Sequence, residues 1–221
     1  MSKNVVITGA NRGIGLALAR QYALSGDHVI GVCRTASPEL QAVATRIIEG
    51  VDVATPEGAG KLAESLGDTP VDILINNAGI LRIETLDSLN VETIREQFDV
   101  NAVGPLLVTQ ALLNNLHDGS KVGCVTSRMG SIADNTSGSR YGYRMSKAAL
   151  NIAAVSLARD LAPRGISVAI IHPGFVQTDM VGGNGDIPPE TAAERIAARI
   201  GDLTLQNTGT FWHSNGEVLP W

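Results

Sequence analysis

Tyr143 and Lys147 stand four residues apart in Tyr143-Arg144-Met145-Ser146-Lys147, a segment with a helical pattern, so both side chains leave the same helix face. An ammonium is thereby set beside a phenol. A free tyrosine titrates near pH ~10, and a nearby positive charge favours the phenolate, which predicts a proton donor and acceptor usable closer to neutrality. An amphipathic helix with a surface lysine would give the same pair, so the spacing needs support from elsewhere in the chain.

That support is Val5-Val6-Ile7-Thr8-Gly9-Ala10-Asn11-Arg12-Gly13-Ile14-Gly15. It reads as a β-branched strand, a tight turn and the start of a helix carrying Leu16, Leu18 and Tyr22. Glycines at such a junction let the backbone turn sharply and approach a ligand, and the unpaired N–H groups at the helix start attract a pyrophosphate. The spacing Gly-x-x-x-Gly-x-Gly differs from the Gly-x-Gly-x-x-Gly dinucleotide fingerprint while keeping its mechanism.

The elements that must position these groups alternate along the chain. Further strands are expected at residues 28–33, 47–53, 71–76, 121–126 and 166–171, with a seventh at 209–213. Between them lie helices starting at Pro38, then at 56–66, 91–116, 141–162 and 188–200, with Gly26 as a helix stop. Short apolar strands separated by helices imply right-handed crossovers and a parallel sheet covered on both faces, a doubly wound α/β Rossmann fold of about seven strands. Ligands of such sheets bind beyond the carboxyl ends of the strands. The rule gathers the glycine turn, Arg34, Asp52, Asn77, Ser127 and His172-Pro173-Gly174 into one crevice, overhung by loops at 134–140 and 181–187.

Composition narrows the function. The 221 residues suffice for one domain, 1–221, with a cofactor half to about 120 and a catalytic half after it. Hydrophobic residues make up 44% and charged residues 18%, as expected of a folded α/β protein. A net charge of −5 without a basic cluster gives no electrostatic footing for nucleic acid or an anionic membrane, which leaves small molecules as partners. Cys33 and Cys124 lie in strand-like runs with neither disulfide nor metal-ligand spacing, so they read as reduced thiols and no metal is expected. Residues 1–4 leave no room for a signal peptide and no apolar run approaches the ~20 residues that span a bilayer, which predicts a cytoplasmic protein.

Thr8-Gly9-x-x-x-Gly13-x-Gly15, Asn76-Asn77-Ala78-Gly79, Ser127, Tyr143-x-x-x-Lys147 and Pro173-Gly174, in that order, resemble the short-chain dehydrogenase/reductase family over essentially the whole chain. Tyr143-Arg144-Met145-Ser146-Lys147-Ala148-Ala149-Leu150-Asn151 and the ending Pro220-Trp221 are most similar to the branch holding C-factor-type signalling proteins and sniffer-type carbonyl reductases.

The resemblance implies that Tyr143 exchanges a proton with a carbonyl or alcohol oxygen while hydride passes to or from a nicotinamide. Lys147 would lower the tyrosine pKa and hold the nicotinamide ribose. Ser127, preferred to Ser131 because it stands three residues before Gly130, would bond the same oxygen. Asn101 would hold a proton-relay water. Pro105 supplies a physical reason, because it lacks the N–H that would otherwise occupy the Asn101 carbonyl. Cofactor contacts are implied at Gly9, Asn11, Arg12, Gly13, Ile14, Gly15, Arg34, Asp52, Val53, Asn77, Ala78, Gly79, Tyr143, Lys147, Pro173, Gly174, Val176 and Thr178.

No carboxylate stands at the end of the second strand, where one would bond the adenosine ribose of NAD; Cys33 and Arg34 are there instead. Arg34 with Arg12 predicts NADP(H) over NAD(H). His172 reads as a packed, hydrogen-bonded histidine rather than an acid–base group. Met129, Ile132, Met180 and Trp212 are candidates for substrate selectivity, and the run from Gly182 to Gly185 for a lid hinge. The leading expectation is an NADP(H)-dependent carbonyl reductase, assembled as a homodimer or homotetramer through its long helices. The alternatives are a nucleotide-binding signalling protein of C-factor type with little or no turnover, and an isomerase or dehydratase on the same scaffold.

Overall fold

In a computed structural model, which describes residues 2–221, seven parallel strands form one sheet in the order β3-β2-β1-β4-β5-β6-β7. They are β1 (Asn4–Thr8), β2 (His28–Val32), β3 (Arg46–Ile48), β4 (Val71–Asn76), β5 (Leu116–Val125), β6 (Ser167–His172) and β7 (Phe211–His213). The helices are α1 (Gly13–Leu24), α2 (Pro38–Gln41), α3 (Pro56–Leu66), α4 (Val91–Phe98), α5 (Gly104–Ala111), α6 (Tyr141–Leu161) and α7 (Pro189–Gly201). This is the Rossmann-type α/β arrangement that the alternation of strands and helices predicts.

Alternate residues of the central strands feed two separate cores. Val6 and Leu74 join Leu62 of α3, Val108 of α5 and Leu150 of α6 on one face. Val5, Ile7, Ile73 and Ile75 join Leu18 of α1, Leu40 of α2 and Ile196 of α7 on the other. Because strand side chains point alternately up and down, a run such as Val5-Val6-Ile7 is apolar at every position only when both faces are covered. β1 lies between β2 and β4, so the chain order reverses there and the loops after β1 and β4 open a crevice at their carboxyl ends. No helix among the described residues is long and apolar enough to cross a membrane.

Three boundaries depart from the sequence pattern. β3 ends at Ile48 rather than near residue 53, because Gly50 adopts φ 70° and turns the chain out of the sheet while Val51 and Val53 stay buried. The expected helix 91–116 is broken by a π-helical turn, Asp99–Val103, in which the Gly104 N–H reaches the Asp99 carbonyl. It then stops at Ala111, where the Asn115 side chain bonds the carbonyls of Gly67 (2.6 Å) and Thr69 (3.0 Å), so that residues 116–120 extend β5 instead. α2 is a single turn, capped by Ser37.

Candidate active site

The glycine turn is built for close approach. Gly9 (φ 65°) and Gly13 (φ 53°) hold left-handed conformations, and a Cβ added at Gly15 would lie 2.1 Å from the Gly9 carbonyl oxygen. The turn is clasped to the loop after β4: Thr8 Oγ1 accepts from the Asn77 and Ala78 N–H groups (3.0 and 3.1 Å), and Asn77 Nδ2 donates to the Thr8 carbonyl at 2.9 Å. No side chain caps α1 and its first turn holds no acid, so its positive end stays open.

Beyond this turn opens a cavity of about 1350 Å³ that runs from the ends of β2 and β3 to the start of α6. Gly9, Asn11, Arg12, Gly13, Ile14 and Gly15 line one side, with Arg34, Asp52, Val53, Asn77, Ala78 and Gly79 beside them. Ser127, Tyr143 and Lys147 line the far wall, and Pro173, Gly174, Val176 and Thr178 lie between the two. Of the residues expected to be catalytic or to bind the cofactor, Asn101 is the one absent from the wall, being fully buried behind it.

The Asn101 side chain clasps the backbone of Ile80. Its Oδ1 accepts from the Ile80 N–H and its Nδ2 donates to the Ile80 carbonyl, each at 2.8 Å. Nδ2 also donates to Ser146 Oγ at 3.0 Å, and Ser146 in turn donates to the Tyr143 carbonyl at 2.8 Å. Asn101 therefore couples the loop after β4 to the turn that carries the tyrosine.

Ser127 ends the extended chain after β5, and its Oγ accepts from the Met129 N–H at 3.1 Å. Gly130 lets this loop lie against α6, since a Cβ there would meet the Lys147 carbonyl carbon at 2.6 Å. Ser131, the competing serine, is buried off the cavity with its Oγ accepting from the Asp134 N–H. Lys147 is buried, donates from Nζ to the Val125 carbonyl at 3.0 Å, and sits 5.8 Å from the centre of the Tyr143 ring.

Burial dominates the electrostatics here. It pushes the Tyr143 phenol up to about 12, and the neighbouring Ser127 hydroxyl offsets only part of that rise. It pushes Lys147 down to about 8. The sequence predicts a tyrosine acidified by its lysine; in the structure burial raises the phenol and the group that lowers it is Ser127, not the ammonium. The reason is that the amine's own charge is destabilised by the same apolar surroundings and is aimed at a carbonyl rather than at the phenol.

On the cofactor side, Arg34 is exposed and has no acidic partner among the described residues, while Arg12 has a loose contact with Asp179 at 4.0 Å. Asp52 Oδ1 accepts from the Ala54 N–H, but the cap of α3 is Thr55, so Asp52 shapes a turn and still borders the cavity. His172 borders it too and is packed edge-on against His213, 4.9 Å between ring centres, with burial driving its pKa to about 3. Contrary to expectation its ring is not fully hydrogen-bonded: Nδ1 has no partner among the described residues.

Of the selectivity candidates, Met129 and Met180 line the cavity. Trp212 does not: it is buried in the α1–α7 core because strand alternation turns it to that face. Ile132 points to solvent at 84% exposure. Arg82, Ile83, Arg128, Arg140 and Phe175 line the wall without having been singled out by the sequence. Arg140, one residue before α6 at φ 52° and ψ 48°, has no local signal because a left-handed arginine is set by tertiary context.

The chain matches the family model for short chain dehydrogenases over residues 3–186. It is 39% identical over 223 residues to 1-hydroxy-2-glutathionyl-2-methyl-3-butene dehydrogenase of Rhodococcus sp. (strain AD45), covering 98% of this chain and 99% of that protein. It is 43% identical over 155 residues to C-signal of Myxococcus xanthus, covering 69% of this chain and 93% of the relative. Among solved structures, an NADPH-bound carbonyl reductase from chicken fatty liver superposes with a TM-score of 0.89 at 28% identity, over 100% of this chain and 99% of that one. The open glycine turn, the crevice at the strand reversal, the paired Tyr143 and Lys147 and these matches agree: the chain belongs to the short-chain dehydrogenase/reductase family of oxidoreductases.

Proposed function

We propose that this protein reduces a carbonyl compound with NADPH, or oxidises the corresponding alcohol with NADP+, using Tyr143 as the general acid and base. The observation that carries this reading is the convergence of Ser127, Tyr143 and Lys147 on one wall of a cavity whose other end is the open start of α1. The residues present fit a dinucleotide: the glycine turn borders the cavity and is packed so tightly that a Cβ at Gly9 or Gly15 would strike Ala78 or the Gly9 carbonyl, and the helix end behind it offers unpaired N–H groups. When bound, NADPH supplies the hydride.

The chain's own residues do the rest. The glycine turn would hold the pyrophosphate, and Asp52, Val53, Asn77, Ala78 and Gly79 would border the adenosine portion. Arg34 and Arg12 favour a 2′-phosphate through charge-assisted bonds. Pro173, Gly174, Val176 and Thr178 would hold the nicotinamide, and the Lys147 ammonium its ribose. Ser127 orients the substrate oxygen. Tyr143, still protonated at neutral pH because its pKa is near 12, donates to that oxygen as negative charge develops on it. Tyr143 regains its proton at the expense of the Lys147 ammonium, and Asn101, anchored to Ile80 and Ser146, holds the backbone from which a water would return a proton to the amine so formed. Exposed Phe98, Leu106, Met145 and Ile152 on α4–α6 support self-association through these helices.

The similarity to C-signal favours a second reading, in which bound nucleotide stabilises a signalling surface without turnover. One experiment separates the two. NADPH oxidation is followed at 340 nm with aldehydes, ketones, quinones and a hydroxyalkyl glutathione adduct run in reverse. Turnover abolished by Tyr143→Phe supports the reductase; tight NADPH binding with no turnover on any substrate class supports the signalling protein.

A further inference from the structure

We propose that Glu84 is a positioning residue for Tyr143: a buried carboxylate from the loop after β4 closes the N-terminus of α6 and fixes the turn from which the phenol projects. The proposal rests on the catalytic reading of Tyr143 given above. Glu84 is 1% exposed and has no basic partner among the described residues. A lone carboxylate is kept out of water only where donors replace its hydration. Here Oε1 accepts from Thr93 Oγ1 (2.8 Å) and Gln97 Nε2 (2.6 Å), both on α4, and Oε2 accepts from the Gly142 N–H at 3.2 Å. The Glu84 carbonyl also accepts from the Arg140 N–H at 2.8 Å.

These bonds meet a need that α6 does not meet for itself. Its N-cap residue, Arg140, is left-handed and contributes no side-chain bond, whereas α2, α3 and α4 are capped by their own Ser37, Thr55 and Asn90. Gly142 leaves room for the contact, since a Cβ there would lie 2.3 Å from Gln97 Nε2 and 3.2 Å from Glu84 Oε1. Tyr143 follows directly, and its carbonyl is held on the other side by Ser146 and, through it, Asn101. The tyrosine peptide is thus gripped from both sides, with Glu84 supplying the N-terminal grip. A carboxylate at a helix start also complements the helix dipole.

The test uses Glu84→Asp, one methylene too short to reach Gly142, and Glu84→Gln, which keeps an acceptor oxygen. Both are made in protein labelled with 13C at tyrosine Cζ, and the Tyr143 resonance is identified by its loss in Tyr143→Phe. Glu84→Asp is expected to displace or broaden that resonance and to lower kcat at least tenfold with the KM for NADPH within twofold of wild type; Glu84→Gln should recover most of the kcat. An unmoved Tyr143 resonance in Glu84→Asp overturns the proposal, as does a parallel loss of kcat and NADPH affinity. Should Glu84→Asp not fold, hydrogen exchange at Gly142 in Glu84→Gln decides: retained protection supports the cap, and exchange at the rate of an open helix end refutes it. Absence of turnover in the wild type would defeat the reductase reading instead, leaving the resonance and exchange measurements to judge Glu84.

Discussion

Two helix starts face the same crevice and are treated in opposite ways. α1 begins after a glycine turn with no side-chain cap and no acid in its first turn, its N–H groups left toward a cavity of about 1350 Å³. α6 also lacks a cap of its own, yet its first turn is occupied by the buried carboxylate of Glu84. A helix end left unsatisfied invites an anion from outside the chain, and one satisfied from within becomes a fixed platform. On the proposed function, α1 is the end that recruits the ligand and α6 the end that holds the reactive side chain still.

The comparison breaks most visibly at the platform. Tyr143→Phe should lower turnover by about 10²–10⁴-fold, the range for a lost general acid, while NADPH still binds at the open end; fluorescence titration beside steady-state kinetics checks both halves. At the open end itself, Gly15→Ala sets a methyl 2.1 Å from the Gly9 carbonyl. Expected outcomes are a lower Tm and NADPH affinity reduced at least tenfold, since overpacking costs about 1–3 kcal/mol; an unchanged Kd would mean that the pyrophosphate lies elsewhere.

Arg34→Asp tests the cofactor choice at that same end. Removing a charge-assisted bond worth about 1.5–3 kcal/mol should weaken NADPH by roughly 10–100-fold and narrow the gap to NADH, as measured by the ratio of kcat/KM values for the two cofactors.

Lys147, between the two ends, makes a prediction in pH. With its pKa near 8, the reductive rate should fall as pH rises through about 8 and the ammonium is lost, and Lys147→Met should remove that limb of the profile. Stability runs the other way. The folded pKa lies below the unfolded 10.5, so the cost of burying the charge is full below about pH 8 and is relieved as pH rises toward 10.5. Without added nucleotide, Lys147→Met should therefore melt at or above the wild-type Tm at pH 7. The smallest effect is the control for Glu84: Thr55→Ala removes the ordinary cap of α3, costing about 1 kcal/mol in denaturant unfolding with kcat unchanged.

Much of this was legible because chain order and strand ends carry it. Once β1 and β4 are recognised as neighbours around the strand reversal, Gly9, Asn77, Ser127, Tyr143 and Gly174 must fall in one crevice, and they do. What escaped depends on partners distant in sequence. The left-handed Gly50 that ends β3, the π turn at Asp99–Val103 and the burial of Trp212 in the α1–α7 core leave no periodic mark. Glu84 reads as one acid among many until Gly142, 58 residues away, is brought to it.

The alternation of elements, the parallel sheet and the strand-end motifs of the crevice follow from the amino-acid order alone, because periodicity and glycine spacing are local properties of the chain. How those groups are charged and aimed is a tertiary property: desolvation raises Tyr143 and lowers Lys147, Asn101 bonds Ile80 from behind the wall, and a remote carboxylate bonds the first turn of α6. Burial and hydrogen bonding are sums over neighbours from many segments, and no single stretch of residues contains them.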